Sequence, residues 1–308
     1  MSPLASALEE YLAVRRALGF KLERDGLLLP DFVAFLERRR SAHITTELAL
    51  EWARKPKDAS SRWWASRLAL VRGFARYMSA RDRRTEMPPR ELLSHPVSPK
   101  LEPYVYSIDD VRALLDATRS LHDFTASTYA TLIGLLSVTG MRVGEAIGLD
   151  RSDLRWREGL VLVRSGKFGK SREVALHPTA VEALRAYDRQ RDRHIPRPHS
   201  PAFFLSARRG RRLIYKNIHF RFHRLVDAAG LAGRRPHRPR IHDLRHTFAI
   251  RTVVSWYRTV ADVESRLPAL STYLGHVSTA HTYWYLTATP ELLGLARTRL
   301  ERHVGARR

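Results

Sequence analysis

The chain has 308 residues, enough for two ordinary domains, and 44% of them are hydrophobic, as expected for a globular protein. The absence of cysteine excludes disulfides, thiolate zinc sites and cysteine nucleophiles, and no run of about eighteen apolar residues predicts a transmembrane helix. Lysine and arginine number 54 against 31 acidic residues, and the net charge of +23 favours a polyanionic partner, nucleic acid above all.

Residues 1–86 are predicted to form a helical domain. Apolar residues recur there at helical spacing, for example at Leu68, Val71 and Phe74. The N-terminus lacks the basic and apolar pattern of a secretory signal, so we expect a cytoplasmic protein with no membrane partner, associated with the nucleoid in a bacterium. Residues 87–106 are predicted to be a linker, because proline removes backbone donors and favours extended conformations. The prolines of this segment are Pro88, Pro89, Pro96, Pro99 and Pro103.

A second domain is predicted over residues 107–288. Ser107 and Asp110 fit a helix capping box ahead of an apolar run. Residues 159–166 and 172–176 are predicted to be the two strands of a hairpin whose glycine-containing tip is basic. The remainder is predicted to be mostly helical, which gives a mainly α fold with a small β-sheet.

Residues 289–308 are predicted to form an amphipathic tail helix. Thr289 fits its N-cap and Pro290 its first helical position. The predicted apolar face consists of Leu293, Ala296, Leu300 and Val304. A helix of this kind can pack on its own chain or dock on a neighbouring one.

Four short segments carry side chains suited to phosphate chemistry. They are Thr139-Gly-Met-Arg142 with Glu145 one helical turn later, the hairpin tip with Lys167, His242-Asp-Leu-Arg245, and Leu274-Gly-His276 followed by Tyr285. In order and spacing, these segments resemble the active-site motifs of the tyrosine recombinase (phage-integrase-type) family. The resemblance implies a helical N-terminal core-binding domain followed by an α+β catalytic domain.

The resemblance also implies roles for individual residues. It assigns activation of a DNA phosphodiester and nucleophilic attack to Arg142, Lys167, His242, Arg245, His276 and the nucleophile Tyr285. Guanidinium groups suit the non-bridging oxygens, and a tyrosine with a pKa near 10 needs a base, for which the family offers His242. Lysine can release a proton to the leaving oxygen, which arginine cannot easily do. No metal or other cofactor is required, because these side chains supply the positive charge.

Lysine usage singles out the hairpin tip. Residues 107–308 contain only three lysines, and two of them, Lys167 and Lys170, lie in this tip. The family pattern favours Lys167 as the general acid. Phe168 stands where the family has a glycine, so Lys170 remains the alternative.

Other side chains near these motifs have plainer interpretations. His242 and His246 are spaced like metal ligands on a helix, but Arg245 between them disfavours a cation. His246 is therefore predicted to be hydrogen-bonded in the core, and Glu145 to orient a neighbouring side chain. Tyr283, close to Tyr285, is predicted to be a packing aromatic.

Two basic loops, residues 208–212 and 234–240, are predicted to be solvated or to contact the DNA backbone. For the whole chain, the resemblance implies a site-specific DNA recombinase that moves a mobile element through a 3′-phosphotyrosyl intermediate. It further implies double-stranded DNA sites as substrate, a homotetramer held by the tail at residues 289–308, and possible accessory recombinases.

Two other classes of function stay open. A type IB topoisomerase-like enzyme would religate the strand that it cuts, and a non-catalytic accessory protein would bind DNA on the same scaffold. All the catalytic residue types are present in the motifs, which favours an enzyme, and the small first domain favours recombination.

Overall fold

The computed structural model describes residues 2–93, 102–164, 171–259, 262–276, 278–287 and 290–305, and the chain divides into one unit of residues 1–100 and another of residues 101–308. The helices of the first unit are α1 Pro3–Ala17, α2 Asp25–Arg38, α3 Thr46–Arg54 and α4 Ser61–Ser79. The elements of the second unit are α5 Ile108–Ala117, α6 Asp123–Thr139, α7 Val143–Gly148, β1 Leu154–Arg155, β2 Leu160–Val163, β3 Arg172–Ala175, α8 Pro178–His194, α9 Tyr215–Ala228, α10 Asp243–Thr259, α11 Leu267–Leu274, α12 Ala280–Tyr283 and α13 Pro290–Gly305. This mainly helical architecture with one small sheet confirms the predicted fold class.

The four helices of the first unit share one apolar core, which includes Trp52. The Trp52 ring is fully buried against Phe32, with 5.1 Å between the ring centroids. Its indole Nε1 donates to a carboxylate oxygen of Asp31 at 2.9 Å, and the guanidinium of Arg67 lies 3.6 Å above the ring. These contacts satisfy the indole N–H of Trp52 and place the buried charge of Arg67 over an aromatic ring.

The second unit begins with the predicted capping box. The Ser107 hydroxyl accepts from the backbone N of Asp110 at 3.0 Å, and the Asp110 carboxylate accepts from the backbone N of Ser107 at 2.8 Å. The box starts α5, which packs against α6 and α9. The capping prediction is confirmed.

The sheet has the antiparallel order β1-β2-β3, with Val161 opposite Val174. Val161, Val163 and Val174 face the core and are buried, whereas their neighbours along the strands are more exposed. The predicted hairpin is therefore present, and the short strand β1 is an addition that the sequence pattern did not reveal.

The tail helix α13 packs on α10 of its own chain, through a face other than the predicted one. Leu292 is 1% exposed and Leu295 packs beside it, whereas the predicted Leu293 is 53% exposed. Glu291 pairs with Arg258 of α10 at 2.6 Å. Leu292 and Leu295 have the same helical spacing as Leu293 and Ala296, and the position of α10 decides which pair is buried in this chain. Leu293 stays exposed, and the predicted apolar face stays a prediction.

Several predictions fall outside the described residues. These are the hairpin tip with Lys167 and Lys170, the N-cap Thr289, residues 94–101 of the linker, and the side chains of Leu300 and Val304. Within the described ranges, no helix has the length and apolar character needed to cross a membrane.

Candidate active site

Arg142 and Glu145 lie where α6 gives way to α7. Gly140 ends α6 with a φ of +61°, and Arg142 follows as the N-cap of α7, just before the opening turn in which it was predicted. The Glu145 carboxylate accepts from the backbone N of Arg142 at 2.9 Å and from its Nη1 at 2.7 Å. Arg142 is thus held at both its backbone and its side chain.

Arg245 lies in the first turn of α10 and is only 2% exposed. Its Nη1 donates to the carbonyl oxygen of Gly140 at 2.8 Å, and its Nη2 donates to the carbonyl oxygen of Leu274 at 2.7 Å. Burial, followed by the nearby charge of Arg142, lowers the pKa of Arg245 to about 10, so it stays positively charged at neutral pH. A guanidinium has five N–H groups, which leaves donors for an anion.

The turn that ends α11 gathers three arginines. Gly275 takes a φ of +67° and ends the helix. The last carbonyl groups of a helix have no intrahelical partners and lie at the negative end of the helix dipole, so they can accept hydrogen bonds from cations. Consecutive carbonyl oxygens each accept from a different guanidinium. The pairs are Tyr273 with Arg172 at 2.8 Å, Leu274 with Arg245 at 2.7 Å, and Gly275 with Arg142 at 3.0 Å.

Glu145 links two of these arginines. In addition to Arg142, its carboxylate accepts from Nη1 of Arg172 at 3.1 Å and from Nη2 at 2.8 Å. Burial favours the neutral acid, but the hydrogen bonds from Arg172 and from the Arg142 backbone outweigh it and lower the pKa of Glu145 to about 2. Since one carboxylate faces two guanidinium groups, this part of the site keeps a net positive charge.

Tyr285 follows α12 and is 2% exposed. Its hydroxyl lies 3.2 Å from Nδ1 of His246, within hydrogen-bonding distance. Burial raises the pKa of Tyr285, while the charge and hydrogen bond of Arg245 and the charge of Arg142 act in the opposite direction. The hydroxyl is therefore placed beside a possible proton acceptor and a cation.

Two further histidine rings lie beside the pair formed by His246 and Tyr285. The ring of His242 meets that of His246 edge to face at 4.8 Å between centroids, and the ring of His276 lies 6.1 Å from that of Tyr285. Nδ1 of His276 is 2.8 Å from the hydroxyl of the buried Thr282. Burial, followed by the charge of His242, lowers the pKa of His246 to about 3, so this imidazole is neutral at neutral pH.

The geometry brings together five of the six residues singled out from the sequence. These are Arg142, His242, Arg245, His276 and Tyr285. The sixth, Lys167, lies outside the described residues. Tyr283 is 45% exposed, so the prediction that it is a packing aromatic was wrong.

Sequence reasoning missed Arg172 and the contact between His246 and the Tyr285 hydroxyl. The position of Arg172 at the start of the hairpin's second strand was the only available signal for it. Among the residues that the structure describes, no three histidine or carboxylate side chains are grouped as ligands for a metal ion.

Comparisons with known proteins identify the family of the chain. Residues 106–291 match the phage integrase family. The chain is 44% identical over 310 residues to the integrase/recombinase y4rB of Sinorhizobium fredii, with 98% of each protein covered. It is 33% identical over 264 residues to the tyrosine recombinase XerC of Azotobacter vinelandii, with 85% of this chain and 79% of XerC covered.

A solved structure shares the fold. The integrase of transposon Tn1549 in complex with transposon right-end DNA matches with a TM-score of 0.63 at 18% identity, covering 96% of this chain and 98% of the other. The family match spans the unit that carries Arg142, Arg245 and Tyr285, and the y4rB match spans nearly the whole chain. The chain belongs to the phage integrase family, the tyrosine recombinases of site-specific recombination.

Proposed function

We propose that this protein is a site-specific DNA recombinase in which Tyr285 cuts one DNA strand and becomes joined to it through a 3′-phosphotyrosyl bond. The observation that carries this proposal is the buried Tyr285 hydroxyl, 3.2 Å from His246 and next to the charged Arg245. Arg142 and Arg245 are held on the carbonyl groups of the consecutive residues Gly275 and Leu274, and two such cations can stabilise the charge on a phosphate.

The cleavage step exchanges one phosphoester bond for another, so it needs no external energy source. The Tyr285 oxygen forms a bond to phosphorus, and the bond between phosphorus and the 5′ oxygen breaks. The hydroxyl proton passes to an imidazole, and Lys167 supplies a proton to the leaving 5′ oxygen. Arg142 and Arg245 stabilise the charge on the non-bridging oxygens. A 5′-hydroxyl of the partner duplex then attacks the phosphotyrosyl bond in the reverse sense.

Two imidazoles compete for the role of proton acceptor. The family resemblance points to His242, whereas His246 is the imidazole in hydrogen-bonding contact with the Tyr285 hydroxyl. Because His246 is neutral, its Nδ1 can accept a hydrogen bond from the hydroxyl, but its lowered pKa makes it a weak base for the proton itself. We therefore assign His246 to hold the hydroxyl before DNA is cut, and His242 to bind the phosphate and accept the proton.

The remaining parts of the chain complete the proposal. Residues 1–86 and 107–288 act as two DNA-binding domains that clamp a duplex, joined by the linker at residues 87–106. Four protomers assemble on two DNA sites, with residues 289–308 docking on a neighbouring protomer through the side of α13 that α10 leaves exposed, where Leu293 lies. The names of the relatives, integrase and transposon integrase, favour movement of a mobile element as the biological role.

A trapping experiment tests the central claim without knowledge of the DNA site. Purified protein is incubated with sheared DNA from its host, the reaction is quenched with SDS, and DNA attached covalently to protein is recovered and sequenced. We expect covalent DNA from the wild type and none from Tyr285→Phe. Adducts from both proteins would refute Tyr285 as the nucleophile.

Absence of adducts with DNA binding intact, also on nicked duplexes that prevent religation, would instead favour an accessory DNA-binding protein. Once the site is known, sedimentation of the protein on paired DNA sites tests the assembly. A protein that stays monomeric on paired sites would refute the tetramer.

A further inference from the structure

We propose that Arg172 is a positioning residue for strand cleavage, which holds Arg142 through Glu145 and fixes the turn before His276. The inference rests on the proposed function of the site. Arg172 does not belong to the motifs singled out above, but its side chain joins three segments that each carry or adjoin a site residue. These segments are the start of α7, the start of β3 and the end of α11.

Every nitrogen of the Arg172 guanidinium is engaged. Nε donates to the carbonyl oxygen of Tyr273 at 2.8 Å, and Nη1 and Nη2 donate to the two oxygens of Glu145 at 3.1 and 2.8 Å. The side chain is 12% exposed, so water competes little for these bonds. A planar fork bound on two sides cannot rotate without breaking a hydrogen bond.

Glu145 passes this constraint on to Arg142. The same carboxylate, 8% exposed, accepts from the backbone N and from Nη1 of Arg142. With Arg172 present, two cations share one anion, and part of the Arg142 charge remains available to a phosphate. Without Arg172, Arg142 and Glu145 would form a one-to-one pair in which the charges cancel. Arg172 therefore sets both the place and the effective charge of Arg142.

The turn after α11 is shaped to receive Arg172. A Cβ atom added at Gly275 would lie 2.8 Å from Nη1 of Arg172, so the guanidinium packs directly against the backbone. The carbonyl groups of that turn also hold Arg245 and Arg142. A displacement of Arg172 would therefore move the turn and, with it, the side chains of Arg245 and Arg142.

The decisive variant is Arg172→Lys, which keeps the charge but cannot form the three-way fork. Its matched control is Arg155→Lys. Arg155 pairs with Glu173 of β3 at 2.7 Å on the same sheet, but its side chain is 48% exposed. Single-turnover formation of the covalent adduct is measured on a nicked duplex that contains the site recovered by trapping. Affinity for that duplex and Tm are measured in parallel.

We expect Arg172→Lys to cleave about 100-fold more slowly, as a misplaced catalytic group does. DNA affinity and Tm should stay close to those of the wild type, and Arg155→Lys should cleave like the wild type. A second substrate carries a methylphosphonate at the scissile position, where a methyl group replaces one charged oxygen. On that substrate, Arg172→Lys should reduce the cleavage rate by a smaller factor, because Arg142 has less charge to stabilise.

If the role of Arg172 were purely structural, Arg172→Lys would reduce the cleavage rate by the same factor on both substrates. That result, or a wild-type rate for Arg172→Lys, would overturn the proposal. Glu145→Gln, which keeps the shape of the side chain and removes its charge, gives a second test and should show the same dependence on substrate. A covalent adduct from Tyr285→Phe would instead refute the proposed function, so the two failures are distinguishable.

Discussion

Arg245 of the candidate site and Arg240 of the basic loop at residues 234–240 are held by different kinds of acceptor. Arg245 is bound by the carbonyl oxygens of Gly140 and Leu274. In the loop at residues 234–240, Arg238 pairs with Asp227 and Arg240 with Asp243. A carbonyl group orients a guanidinium and leaves its charge in place, whereas a carboxylate compensates it. The net charge of the chain therefore says less about where a phosphate binds than the acceptors of each arginine do.

In the loop at residues 208–212, Arg208, Arg209 and Arg211 are exposed, as expected of a solvated loop. Arg212 differs, because its Nη1 donates to the carbonyl oxygens of Ile147 and Leu149, and its Nη2 contacts Asp150. For this one arginine the prediction was wrong, since its side chain ties the loop to the end of α7. An arginine-rich sequence does not distinguish such internal ties from a DNA-binding surface.

The largest effect expected from this contrast is the loss of Arg245. We expect Arg245→Ala to slow covalent adduct formation about 1,000-fold or more, since it removes a preorganised cation from the transition state. Arg238→Ala, which removes one arginine from a carboxylate-paired loop, serves as the control and should leave the rate per bound DNA unchanged. Equal rates for the two variants in single-turnover cleavage would show that the type of acceptor does not distinguish the arginines that act on the phosphate.

A smaller effect is expected when the carbonyl groups are displaced. Gly275→Ala places a Cβ against Arg172 at a φ of +67°, and we expect it to destabilise the fold by about 1–3 kcal/mol and to slow cleavage. Gly233→Ala is the matched control, because Gly233 has a φ of +79° with no atom within 4 Å of the added Cβ. Denaturant unfolding and adduct formation are measured for both. A Gly233→Ala protein with the same cleavage defect would show that backbone strain alone is responsible.

The burial of His246, together with the charged groups around it, should also appear as a pH dependence of stability. The pKa of His246 falls from 6.5 to about 3 on folding. Between these values the unfolded chain binds a proton that the folded chain does not, so the free energy of unfolding decreases as the pH falls through this window. We expect the decrease to be smaller in His246→Gln, measured by denaturant unfolding at about pH 7.5 and about pH 5. Identical decreases in both proteins would contradict the assignment.

The smallest effect is expected for an exposed ion pair. Arg155 and Glu173 are both about half exposed, so Arg155→Ala should change the free energy of unfolding by about 0.5 kcal/mol or less. Raising the salt concentration should reduce even that difference. A larger effect in denaturant unfolding would mean that carboxylate-paired surface arginines support this fold more than their exposure indicates.

Features determined by neighbouring residues could be predicted from the sequence. The capping box of Ser107 and Asp110 and the hairpin of β2 and β3 depend on short spacings, and both are present. The motifs also indicated which residues to examine, although their catalytic roles remain predictions.

Features determined by distant contacts could not be predicted. The contact of His246 with Tyr285 spans 39 positions, and that of Arg172 with Tyr273 spans 101. The buried face of the tail depended in the same way on where α10 lies. Spacing along the sequence carries no information about which of two equivalent faces meets a distant helix.

The turn formed by Tyr273, Leu274 and Gly275 has a consequence for protein engineering. Its three peptide groups are covalently spaced, with Cα atoms about 3.8 Å apart, and each holds one guanidinium. The turn therefore fixes the distances between the carbonyl groups to which the three guanidinium groups are bound. A designer who transfers this site to another scaffold would have to transplant the turn as one piece, because copying the arginine side chains alone would leave their separation undefined.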